Sequence, residues 1–327
     1  MNLIEQFDTL DLPNSNDGRM LSASQITEYP HFRVAVNSEG NPVILLSVSN
    51  PVRNLSLKNF RLKYLQLAHN IECKISENGK TILEPFTVIT FTNQDRHLQE
   101  YFLRICESLV RSLKTKPSQE QVVDALKKLI EVFRALNDTP TNTVQGLWAE
   151  LFFIDIATNP LAMLNYWHNI PQERFDFNSG EEKIEIKSSG NFERIHTFSA
   201  EQLNPPNNTS VLIGSVFIRP SSTGKSIQDL VDSITKKLAD DVDLIAKVNT
   251  VVIRTLGSSL EQSLKMKYDH QVAKESFKFY RHQDIKKIEK ISIPTEVTEV
   301  RYKSDLTAIE PTVPNDIDDK GELYDAI

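Results

Sequence analysis

Residues 174–187 read Arg174-Phe175-Asp176-Phe177-Asn178-Ser179-Gly180-Glu181-Glu182-Lys183-Ile184-Glu185-Ile186-Lys187. Side chains alternate between the two faces of a strand, so Phe175 and Phe177 share one face while Asp176 takes the other. In the second arm Ile184 and Ile186 share a face, and Glu185 and Lys187 share its reverse. A two-residue loop at Gly180-Glu181 suits a type II′ hairpin turn, which wants glycine first. That loop sets Phe177 against Ile184, Phe175 against Ile186 and Asp176 against Glu185. The register that buries the apolar residues therefore also brings two carboxylates together, with Lys187 one step along.

Like charges directly opposite on a sheet repel. Such a pair can sit on a wet surface, share a proton, or bind a cation. Mg²⁺ takes one or two carboxylates together with waters and phosphate oxygens, and this arrangement fits it. A lysine beside the pair can position or activate a water, or stabilise developing charge, in phosphodiester hydrolysis.

Upstream, the spacing predicts a helix from about 142 to 158, with Val144, Leu147, Trp148, Leu151 and Phe152 as an apolar stripe. Glu150 lies at the margin of that stripe, within reach of an acidic hairpin, and Gly146 lets the helix come close to a sheet. Downstream, strands are expected near 194–198 and 211–219. Ser199 and Gln202 offer a capping box between them. Thr223-Gly224-Lys225-Ser226 opens a further helical region. Before all this, strands at 31–37 and 43–50 flank a turn at 38–42, and 60–75 and 81–91 flank Asn78-Gly79. Helices follow from Leu98 to Leu113 and, behind a Pro117-Ser118/Gln121 capping box, to Leu136. The expected divisions are a β-rich region at 1–95, a helical connector at 96–140, a hairpin-bearing domain with a C-terminal extension at 141–306, and an acidic, flexible tail at 307–327.

The chain has 327 residues, 37 Lys plus Arg against 44 Asp plus Glu, a net charge of −7 and 39% hydrophobic residues. This is the composition of a soluble globular protein. No apolar run is long enough to span a bilayer, and the first residues lack the pattern of a signal peptide. Cys73 and Cys106 stand alone, which excludes a disulfide framework or zinc ribbon and points to the reducing cytoplasm. An acidic total argues against nucleic acid at first sight. Ser304–Ile327, however, holds seven acids and one base, whereas Arg254–Lys303 holds eleven bases against seven acids. The tail is thus expected to screen a basic stretch.

Other motifs fail. Gly224-Lys225-Ser226 has Arg219 where a phosphate-binding loop needs its first glycine. The seven histidines show no metal-ligand spacing, and Cys106 sits within a helical pattern as a packed residue.

Asp176 followed after eight residues by Glu185-Ile186-Lys187 resembles the Asp…(Asp/Glu)-x-Lys core of the PD-(D/E)XK, or restriction-endonuclease-like, nuclease superfamily. Gly146-Leu147-Trp148-Ala149-Glu150-Leu151 is similar to the helix that supplies an extra metal-binding glutamate there. The likeness is narrower still to bacterial "PD-(D/E)XK motif proteins", with Arg194, His196 and Gln202 following the lysine. Phe175 stands where the superfamily's name has proline. The resemblance implies an α+β fold with an αβββαβ core, a mixed sheet flanked by helices. It implies a Mg²⁺-dependent DNA endonuclease (Mn²⁺ substituting) in which Glu150, Asp176 and Glu185 hold metal and Lys187 assists the attacking water. His196 reads as packed or hydrogen-bonded and Gln202 as a helix cap, both also candidates for supporting the site. Implied partners are double-stranded DNA, a second copy of the chain, and an ATPase, helicase or methyltransferase of a restriction or phage-defence system. A catalytically inactive subunit that docks DNA or a partner protein is the competing class.

Overall fold

The computed structural model describes residues 2–13, 20–47, 59–77, 80–113, 119–140, 142–170, 173–238, 241–317 and 320–327. They fall into two compact units, Met1–Asp138 and Thr139–Ile327.

In the first unit, β1 (Met20–Gln25), β2 (Phe32–Val36), β3 (Pro42–Ser47), β4 (Phe60–Arg61), β5 (Leu65–Glu77) and β6 (Lys80–Phe91) form a sheet of order β1-β2-β3-β6-β5-β4. A parallel β1–β5 pairing closes it on itself, around Leu21, Ala23, Ala35, Val43, Leu45, Cys73, Ile75 and Phe86. Three helices accompany it: α1 (Leu3–Asp8), α2 (Arg96–Ser112) and α3 (Gln119–Ala135). The stretch expected as a connector belongs to this unit. Phe102 of α2 stacks on Phe91 of β6 at 5.1 Å, and Phe133 of α3 meets both rings edge-on. Cys106 is buried within α2, as its helical context suggests. The expected Asn78-Gly79 turn and the Pro117-Ser118 start of a capping box lie outside the described residues.

The second unit opens with α4 (Val144–Ile156) and α5 (Pro160–Tyr166). Next come β7 (Phe177–Asn178), β8 (Glu182–Ser189), β9 (Ile195–Ser199), α6 (Ala200–Leu203) and β10 (Ser210–Phe217). From α4 the order is two helices, three strands, a helix and a strand, so α5 is added to the expected order, within an α+β architecture. The sheet differs in membership. It is four-stranded and mixed, of order β13-β10-β8-β7, with β8 and β10 parallel and β13 (Lys278–Arg281) antiparallel on one edge. β9 leaves it to pair antiparallel with β14 (Arg301–Asp305). Phe198 of β9 is fully buried against Val211, Ile213 and Tyr280, while Ile195 and Thr197 are exposed. The strand thus covers a face of the sheet rather than extending an edge.

Thr223–Ser226 leads into a helix as expected, but does so as the end of a strand. It ends β11 (Pro220–Ser226), which pairs with β12 (Lys267–Tyr268). A Cβ at Gly224 would lie 2.1 Å from the Tyr268 carbonyl oxygen, so this contact requires glycine. Ser226 then caps α7 (Ile227–Lys237) in a capping box with Asp229. Next come α8 (Val242–Leu256), α9 (Leu260–Ser263) and α10 (His270–Ser276). No described helix is long and apolar enough to cross a membrane.

The acidic tail is docked, not loose. Its last helix, α11 (Glu322–Asp325), presents the backbone N–H groups of Gly321, Leu323 and Tyr324 to the Glu182 carboxylate at 2.6–3.1 Å. Leu323, Tyr324 and Ala326 are buried. Composition counted the tail's charges, but three apolar residues and one distant glutamate decide its placement. A segment anchored this way on β8 is no free screen for the basic stretch.

Candidate active site

Thr143 starts α4, its hydroxyl accepting the Gly146 N–H at 3.0 Å. A Cβ at Gly146 would meet that hydroxyl at 3.2 Å and nothing else nearby, so the glycine makes room for the cap and not for a sheet. From Leu147 to Asp155 every side chain of α4 is buried, which makes Glu150 part of a buried helix rather than the margin of a stripe.

A buried carboxylate needs donors. Glu150 Oε2 accepts from Trp167 Nε1 at 2.9 Å and lies 2.8 Å from His168 Nε2, which donates in the tautomer that satisfies the pair. Trp167 and His168 follow α5 and run beside the hairpin. Trp167 bridges to Phe177, and the His168 N–H donates to the Asp176 carbonyl at 2.9 Å. Ligand atoms of Glu150, His168 and Asp176 all lie within 4.8 Å of one another.

The hairpin keeps its expected register at Phe177↔Ile184 and Asn178↔Lys183, and Gly180 has the positive φ, +95°, that its turn position demands. The pairing stops there. Asp176 does not face Glu185 across a ladder. Its Oδ2 instead accepts the Ile186 N–H at 2.6 Å, taking the place of a backbone partner. Burial, then Glu185, then Glu150 push the Asp176 carboxyl well above the usual carboxylate range. The Ile186 N–H and Lys187 only partly oppose that push.

Glu185 is buried and splits its two oxygens. Oε1 accepts from Lys187 Nζ at 2.6 Å, while Oε2 is enclosed with no hydrogen-bond partner. The lysine also reaches Gln202 Oε1 at 3.4 Å. Gln202 is fixed in turn, because Oε1 accepts the Ser199 N–H in the capping box and Nε2 donates to the Arg174 carbonyl. The helix cap and the support of the lysine are thus one residue.

His196 faces elsewhere, with Nε2 2.7 Å from Ser215 Oγ. Burial, Lys187 and Arg194 lower its pKa to about 4, so it is neutral near pH 7 and placed to hold Ser215.

The donor set fits a divalent cation. Two further carboxylates, Glu185 and Glu150, act on a half-buried Asp176 that resists ionisation, and one enclosed oxygen of Glu185 has no hydrogen-bond partner. Of the residues expected at the site, Glu150, Asp176, Glu185, Lys187 and Gln202 are brought together, and His196 stands behind them through Ser215. Sequence reading missed Trp167 and His168. Neither belongs to a periodic element, and the search for metal-type histidine spacing discounted His168 because its partner is a glutamate 18 positions away.

A family model described as "Putative PD-(D/E)XK family member, (DUF4420)" matches residues 3–307. No curated protein and no solved structure matches the chain.

Proposed function

The chain belongs to this PD-(D/E)XK family, and from that premise we propose that it is a metal-dependent endonuclease hydrolysing phosphodiester bonds of double-stranded DNA. The observation that carries the reading is that ligand atoms of Glu150, His168 and Asp176 lie within 4.8 Å of one another, with Glu185 near enough to raise the Asp176 carboxyl and holding Lys187 at 2.6 Å. Glu150, Asp176 and Glu185 would hold Mg²⁺ or Mn²⁺. The bound ion would supply Lewis-acid charge to a phosphate oxygen and lower the pKa of a water.

The protein's own groups do the rest. Trp167 and His168 orient the Glu150 carboxylate, and the Ile186 N–H fixes that of Asp176. Gln202 and Glu185 hold the Lys187 ammonium where it can donate a hydrogen bond to the attacking water or to a phosphate oxygen. A place in restriction or phage defence, beside an ATPase, helicase or methyltransferase, rests on the family resemblance.

Plasmid cleavage with Mg²⁺ or Mn²⁺ tests the reading. Lys187→Ala and Asp176→Ala should each lower the rate by at least ~10²-fold, in line with loss of a positioned acid–base or charge-stabilising group. Unchanged rates in both variants would remove the site from the mechanism. DNA binding with no calorimetric metal binding would favour the inactive-subunit reading.

A further inference from the structure

The strand that carries Glu185 and Lys187 ends at Ser189, and Gly190-Asn191-Phe192 turns away beside a cavity of about 390 Å³. Its walls include Phe192, Arg194, Phe217, Lys278, Tyr280 and Glu310. That volume is within the ~300–1,000 Å³ of small-molecule sites.

Three features set the cavity apart from ordinary surface. Phe192 is 49% exposed and sits at φ +58°, a left-handed conformation that costs a non-glycine residue free energy. Its ring meets Phe217 at 5.3 Å, and the Arg194 guanidinium lies 4.5 Å over the Phe217 ring. Arg194 is buried, donates to the Ser215 carbonyl and hydroxyl and to the Ser276 carbonyl, and forms no ion pair among the described residues. The result is an exposed aromatic ring set at 54° to a second ring that carries a guanidinium, with Lys278 and Glu310 on the walls as a donor and an acceptor.

We propose that this cavity binds an unpaired nucleobase of the DNA held at the candidate active site, stacked on Phe192. A planar π-system suits an exposed ring beside a second, cation-bearing ring, and unstacked bases are recognised in this way, by aromatic or arginine planes and by hydrogen bonds to their edges. Ser215 connects Arg194 of the cavity wall to the lysine of the candidate active site. This residue pairs with Lys187 across β8 and β10, and its hydroxyl takes both Arg194 at 2.8 Å and His196 at 2.7 Å. Phe192 is five residues beyond Lys187, so at most about 17 Å of chain separates them. That span is about five steps of a duplex strand at ~3.4 Å each. The proposal rests on the nuclease reading for its ligand.

The test measures binding without cleavage. Fluorescence anisotropy in EDTA compares labelled duplexes that are fully paired with duplexes carrying one unpaired base. An unpaired base costs little to extrude, so wild type should prefer it. Phe192→Ala and Phe192→Leu should weaken binding to the unpaired-base duplex by about 5- to 150-fold, the loss of one base–aromatic stack. Binding to the paired duplex should change little. Phe192→Trp should retain the preference, and its indole emission should be quenched when the unpaired-base duplex binds. Equal affinities for the two duplexes in wild type, or a preference unaltered in Phe192→Ala, would overturn the proposal. A plasmid assay on the same samples separates the two readings. Cleavage without the preference removes only the pocket, and the preference without cleavage removes only the nuclease.

Discussion

Replacing Asp176 by asparagine should stabilise the metal-free protein while abolishing its activity. Ligand oxygens of Asp176 and Glu150 lie within 4.8 Å of each other, where two unit negative charges repel by about 3.5 kcal/mol at an effective dielectric constant near 20. Glu185 adds to that repulsion, and Lys187 and the Ile186 N–H offset part of it. Asparagine removes the charge, and its amide oxygen can still accept the Ile186 N–H. A net gain of ~1–3 kcal/mol follows, or roughly 2–10 °C in the melting transition of a unit this size.

The sign depends on pH. Folding raises the proton affinity of Asp176, so the native state is penalised once pH exceeds the unfolded value of ~3.9. The penalty grows as pH climbs through the raised folded value. Below ~3.9 both states hold the proton and the gain should vanish. Thermal melts in EDTA at pH 8 and pH 3.5 read this directly, with Mn²⁺ added in a third arm. The metal should raise the wild-type transition and leave the variant nearly unmoved. An Asp176→Asn protein no more stable than wild type at pH 8, or equally stabilised at both pH values, would refute the electrostatic account.

Three further outcomes are expected. His168→Ala should weaken Mn²⁺ binding by ~10–100-fold in a calorimetric titration, because Glu150 loses a group that fixes its carboxylate. His196 has a folded pKa of about 4, below its unfolded ~6.5, so it stabilises the native state above pH 6.5 and loses that contribution as pH falls toward 4. NMR titration should place its inflection near 4, and His196→Gln should flatten the acid limb of the stability curve by ~2–4 kcal/mol. Glu182→Ala strips the carboxylate from the Gly321, Leu323 and Tyr324 N–H groups, at ~2–4 kcal/mol, and hydrogen exchange at residues 321–327 should accelerate accordingly.

The hairpin was the most legible part of the chain, because period-two burial and a glycine turn fix a register without outside help. Phe177↔Ile184 follows from that alone. One residue further the ladder ends. Trp167 and His168 come in beside the strand, and Asp176 turns its carboxylate to a backbone N–H, neither of which leaves a periodic trace. Alternation in Ile195-His196-Thr197-Phe198 predicted a strand but could not name its partner, since β14 lies about a hundred residues away and reads as charged surface. Helical spacing likewise identified α4 and Glu150 but not how fully the helix is enclosed. Pairing with remote segments, and burial supplied by them, are properties that a local pattern does not encode.

Glu150 has a counterpart at the far end of its helix. Burial works against ionisation of Asp155, yet Lys237, Ser233 and Lys225 together hold its carboxyl below the usual range. Five residues on an α-helix advance about 140° around the axis, so the two acids grip different surroundings. One is tethered to β11 and α7, the other to Trp167 and His168. Contacts at both ends resist rolling and sliding of the helix, in the way a machine part is located by two dowels rather than one. Positional tolerance at the acidic cluster is thus set partly by Lys225 and Lys237, half-exposed cations that touch none of its ligands.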